Sequence, residues 1–87
     1  MKIYELPATT QKSYYQKAKV VVTDSGKTLL RSYDTIVAGI LSDGSVHRYW
    51  NGYSATTAKH VNDFFRLFGK RPVNKREWLK MKVEEVA

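Results

Sequence analysis

Hydrophobic residues first fall into a regular pattern at Tyr14 to Thr23, where Ala18, Val20 and Val22 alternate with Lys17 and Lys19. A period of two is that of a strand with one face buried and one face wet. Before it, the first twelve residues lack a long periodic pattern and Pro7 interrupts them, which predicts an extended lead-in with a short edge strand at Lys2 to Leu6. Asp24-Ser25-Gly26 reads as a turn whose last residue takes positive φ. The next run, residues 27 to 41, is long for one strand and changes near Tyr33-Asp34 from the mixed TLLRS to the apolar TIVAGIL. It predicts one bent strand or two in series, with Gly39 a candidate bulge. Ser42-Asp43-Gly44-Ser45 suits a two-residue type I′ hairpin, because both central positions of that turn need positive φ. Val46 to Asn51 then returns antiparallel.

The period changes after Asn51-Gly52. Ser54 is placed as the N-cap of a helix from Ala55 to about Phe68. At 100° per residue its Thr57, Ala58, Val61, Phe64, Phe65 and Phe68 share one face, with Lys59, Asp63, Arg66 and Lys70 opposite. Gly69 supplies the stop and Pro72 breaks the path. Asn74, with Glu77 three residues on, forms a capping box for a second, shorter helix whose Trp78, Leu79, Met81 and Val83 offer an apolar side. The expected fold is therefore α+β, with an antiparallel sheet of three to four strands made mainly from residues 14 to 51 and containing a long bent central strand. One packed amphipathic helix and a short C-terminal helix follow. The organisation is one domain: residues 1–12 as lead-in, 13–69 as sheet and helix core, and 70–87 as a basic helical segment.

Composition narrows the chemistry. An 87-residue chain without cysteine has no disulfide framework and no thiolate metal site, so packing alone must hold it. The N-terminus has no apolar run of signal-peptide length and no window approaches a bilayer span, so a soluble cytoplasmic protein is expected. Fifteen Lys and Arg against eight Asp and Glu leave a net charge of +7. Seven of the cations lie between Arg66 and Lys82, against the single acid Glu77. Such a balance favours an anionic partner.

His60 lies at the border of the helix's packed face near Asp63, where a structural role, donating to a backbone carbonyl or to Asp63, accounts for it. Acid or base catalysis would need a second group such as His47, and a metal site from His47, His60 and Asp63 has no preforming spacing. The hydroxyls of Ser54, Thr56 and Thr57 read as a cap before they read as a phosphate cradle. No phosphate loop, nucleophile elbow or carboxylate pair appears, and neither catalysis, a cofactor, a metal nor a small-molecule substrate is expected.

What remains is binding. With helices on one face only, alternation assigns to the open face Tyr15, Lys17, Lys19, Arg31 and Tyr33, together with either Arg48 or the pair His47 and Tyr49. Interleaved aromatics and cations on an open sheet suit nucleic acid, by base stacking and phosphate contact, and Lys70, Arg71, Lys75 and Arg76 would add to it. The rival partner is a host protein, met by the aromatic corner Trp50 and Tyr53.

The segments SYDTIVAGI at 32 to 40, Asp43-Gly44, Tyr49-Trp50, YSATTAKHVNDFF at 53 to 65 and KREW at 75 to 78 resemble a family of small uncharacterised proteins encoded by phages and prophages of Gram-positive bacteria. The resemblance implies a mobile-element origin, life in a bacterial cytoplasm and a β-rich module followed by helices. It carries no activity and no functional residue with it.

Overall fold

The computed structural model describes residues 1–7 and 17–86. Five strands, β1 (Lys2–Glu5), β2 (Ala18–Val22), β3 (Thr28–Ser32), β4 (Thr35–Ile40) and β5 (Val46–Arg48), are followed by α1 (Ala55–Leu67) and α2 (Lys75–Lys80). The strands form one antiparallel sheet in sequence order, an α+β fold. The count is five where three to four were expected. β1 is the edge strand expected at Lys2 to Leu6, and the added strand comes from the run 27 to 41, which is a hairpin and not a long bent strand.

That hairpin turns on Tyr33 and Asp34, with Ser32 paired to Thr35 on either side. Tyr33 adopts φ of 55°, a conformation that L-residues other than Gly, Asn and Asp seldom take. Two bonds and the flanking strand pairing hold it there: its amide donates to the Lys17 carbonyl at 2.7 Å, Arg31 Nη2 donates to Asp34 Oδ1 at 3.0 Å, and Ser32 pairs with Thr35 across the turn. The bulge is not at Gly39, which pairs regularly with Leu29. It falls where Leu30 faces Ala38 but Arg31 faces Ile36. The extra residue is Val37, and both Val37 and Ala38 end up buried.

The other two hairpins share one geometry. Thr23 N donates to Lys27 O and Gly26 N to Thr23 O; Leu41 N donates to Ser45 O and Gly44 N to Leu41 O. Gly26 and Gly44 have φ of 91° and 87°, while Asp43 is not among the positive-φ residues. These are three-residue loops closing on a glycine bulge, so the Asp43-Gly44 turn is not the two-residue type I′ form. The Asp43 carboxylate is spent on this turn, accepting from Ser45 N and Oγ.

α1 and α2 cover one face of the sheet. Their caps follow the sequence: Ser54 Oγ accepts from Thr57 N, Asn74 and Glu77 form the reciprocal capping box, and Gly69 takes φ of 72° after α1. The core joins Leu6, Ala18, Val20, Leu30, Val37, Ala38 and Ile40 to Val61, Phe64, Phe65 and Trp78. Two polar residues of α1 go further inside than periodicity placed them. His60 is 0% exposed with Nδ1 2.8 Å from Ser32 Oγ, and Asp63 is 1% exposed with Arg66 Nη1 3.0 Å from its carboxylate. Asp63 thus belongs to the buried side, where a guanidinium offsets its desolvation. α2 is only six residues long, so Leu79 stays exposed while Trp78 is buried. Beyond it the chain runs beside β5, with a parallel bridge between Arg48 and Val83 and a bond from Glu84 N to Arg48 O at 2.8 Å. Among the described residues, no helix is long and apolar enough to cross a membrane.

Candidate nucleic-acid interface

Strand alternation fixes what the helix-free face presents. The residues paired as Ala18 with Ser32 and Val20 with Leu30 point to the helices, so the intervening pairs, Lys19 with Arg31 and Val21 with Leu29, point the other way. Across the bulge Arg31 continues to Ile36, and Leu29 continues to Gly39 and on to His47. On β1, Ile3 and Glu5 extend the same two rows.

Gly39 explains how Tyr49 joins this face. A β-carbon built on Gly39 would lie 2.7 Å from Tyr49 Cε2 and 2.8 Å from Leu29 Cδ2, closer than such atoms approach. The bare glycine backbone therefore lets the Tyr49 ring lie over β4, against Leu29. His47 stacks beside it, with ring centroids 6.4 Å apart and planes inclined by 13°. Burial, and secondarily the Glu84 carboxylate, push the Tyr49 hydroxyl above its ordinary pKa, so the ring stays neutral. Glu84 itself holds His47 Nδ1, while His47 Nε2 meets Ser45 Oγ at 2.8 Å. Lys19 and Arg31 lie one pair further along the strands, adjacent to each other. The arrangement is a stacked aromatic pair beside two neighbouring cations.

The expected contact residues scatter over more than one surface. Lys19 and Arg31 are on the open face. Tyr15 lies outside the described residues. Lys17 is exposed at the end of the sheet beside Tyr33, whose ring is 53% exposed and leans towards His60 at 6.0 Å. These two rim the helix side of the sheet's end, not its open face.

Arg48 is a correction. It is 4% exposed and points into the helical layer, where Nε donates to Trp50 O at 2.8 Å and Nη1 to Trp78 O at 3.0 Å and Met81 O at 3.1 Å. Its guanidinium also sits 4.9 Å from the Trp78 ring centroid. Those helix-end carbonyls need donors, and a buried guanidinium supplies them from one side chain. The strand's other phase, His47 and Tyr49, is the one that faces out.

The C-terminal cations occupy the helical layer. A β-carbon on Gly44 would lie 3.2 Å from Lys70 Nζ, Arg71 pairs with Glu77, Lys75 Nζ lies 5.1 Å over the Tyr53 ring, and Arg76 is exposed. Trp50 is partly buried against the core and Tyr53 half-exposed at its edge. His47 and His60 are kept apart, one on the open face and one against Ser32. Burial pulls the His60 pKa below its ordinary value, against the raising effect of Asp63 and together with the lowering effect of Lys17.

Sequence reasoning missed the Tyr49 platform's support, although the signal was present: an isolated glycine in a strand marks close approach as well as a bulge. It also missed Glu84, since nothing in the local pattern announces that residues 83 and 84 return to β5. The chain belongs to a family of unknown function, DUF8033, whose model matches residues 1–80. No curated protein and no solved structure matches it.

Proposed function

We propose that this member of a family of unknown function is a non-enzymatic binding module for single-stranded nucleic acid, with the helix-free face of the sheet as its contact surface. The observation that carries the reading is the Tyr49 ring laid over Gly39 with His47 stacked against it and the adjacent Lys19 and Arg31 alongside. A base stacking on Tyr49 would gain about 1 to 3 kcal/mol. Lys19 and Arg31, one pair further along the strands, would meet backbone phosphates beside such a base, and the net charge of +7 would draw the polyanion in. The proposal extends to a small accessory protein of a phage or prophage acting in the cytoplasm of a bacterial host, as the resemblance of its SYDTIVAGI and YSATTAKHVNDFF segments implies.

The test is fluorescence anisotropy of labelled single-stranded DNA, single-stranded RNA and duplex DNA at low and near-physiological salt. Single strands are expected to bind more tightly than duplex and to keep binding at the higher salt. Changing Lys19 and Arg31 together to Gln should lower the slope of log affinity against log salt by about 1.4, the contribution of two phosphate contacts on a single strand. An unchanged slope, or equal weak binding of every polyanion, would overturn the reading.

A further inference from the structure

The helical layer has a surface of its own, on the opposite side of the sheet from Tyr49. Between α1 and α2 lies a cleft walled by Trp50, Tyr53, Ala58, Val61, Val73 and Trp78. Its polar atoms are engaged within the fold: Trp78 Nε1 donates to Gly52 O at 2.9 Å, Asn62 Oδ1 accepts from Val73 N, and the Ser54 and Asn74 side chains cap their helices. What faces the opening is therefore hydrocarbon and aromatic surface. The inner space is about 10 Å³, room for a group the size of a methyl or a water. Gly52 sets one wall, since a β-carbon there would lie 2.5 Å from the Trp50 ring.

The surroundings are cationic and their acids are already used. Residues 54 to 82 contain eight Lys and Arg against Asp63 and Glu77. Asp63 is buried against Arg66, and Glu77 serves the capping box and Arg71. Among the described residues, none of Lys59, Lys70, Lys75 and Arg76 makes an ion pair. Lys75 stands over Tyr53 at the edge of the cleft, with its charge at the entrance.

We infer that the cleft between α1 and α2 receives the tip of one aliphatic side chain from an acidic peptide segment of another protein, whose carboxylates meet Lys75 and the cations around it. The apolar floor selects the side chain and its small volume excludes an aromatic one. The rim selects the flanking charge. This docking surface does not depend on the nucleic-acid reading, because it shares no residue with the open sheet face.

Both tryptophans of the chain line the cleft, so their fluorescence reports its filling. The probe is a peptide with one leucine flanked by glutamates, compared with the same peptide carrying serine in place of leucine. The leucine peptide is expected to change the emission saturably and to bind about tenfold more tightly than the serine peptide, as burial of an aliphatic tip implies. Ala58→Met, which fills the cleft from an incompletely buried helix position, should abolish the preference for leucine, and Lys75→Glu should weaken both peptides. Joint change of Lys19 and Arg31 to Gln should leave peptide binding intact whatever it does to oligonucleotide binding. Equal affinity of the two peptides, or a leucine preference that survives Ala58→Met, would overturn the inference. So would an equal emission change produced by an oligonucleotide in place of the peptide.

Discussion

Truncating Arg48 to Ala would leave the carbonyls of Trp50, Trp78 and Met81 without the donor that now serves all three. Bonds to a charged donor contribute about 1.5 to 3 kcal/mol each, and they are not additive. A loss of about 3 kcal/mol in urea unfolding is expected, with Arg48→Lys only partly restoring it, since an ammonium cannot span the same fork. A wild-type-like midpoint would show that α2 is held without Arg48. His60 makes a second residue-scale demand. Burial lowers its folded pKa, so the folded state keeps it neutral while the unfolded chain takes up a proton near its ordinary value of about 6.5. Stability from this group is complete above that pH and is lost as pH falls below it towards the lower folded value. Unfolding free energy should thus fall more steeply as pH drops below about 6.5 in the wild type than in His60→Phe, and equal pH slopes would contradict this.

Element boundaries were legible wherever one residue type has one mechanical use. Ser54, Gly69, Asn74 with Glu77, and Gly26 all act as their chemistry implies, because a cap or a positive φ leaves few alternatives. The Tyr33-Asp34 turn was not legible, since tyrosine is a poor signal for positive φ and the backbone bond that holds it comes from Lys17, just ahead of β2. Nor does strand periodicity say which phase of Val46–Arg48 faces the helices; alternation gives two faces, and only the partner decides between them. Gly39 is where an element and the candidate site meet. Gly39→Ala would drive a methyl into Tyr49 and Leu29, and overpacking of this kind costs about 1 to 3 kcal/mol. The same variant should displace the Tyr49 ring and weaken single-strand binding even under conditions where the fold persists, which thermal unfolding and anisotropy together would report. Undiminished binding by folded Gly39→Ala would remove Tyr49 as the platform.

At the scale of the whole molecule, the two faces of the sheet carry different residues. On one side a sheet without helices presents Tyr49, His47, Lys19 and Arg31; on the other two capped helices bury the core and carry most of the C-terminal charge. Composition alone gives the sign of the partner and not the side it approaches, since cations lie on both. Which face meets nucleic acid is read from a titration of the ¹⁵N-labelled protein with a short single-stranded oligonucleotide, followed by amide chemical shifts. The expected result is saturable shifts concentrated at Lys19, Leu29, Arg31, Gly39, His47 and Tyr49, with Lys59, Asn62 and Lys75 unmoved. Shifts confined to α1 and α2 with the sheet silent would contradict it, and would assign the nucleic acid to the helical layer instead.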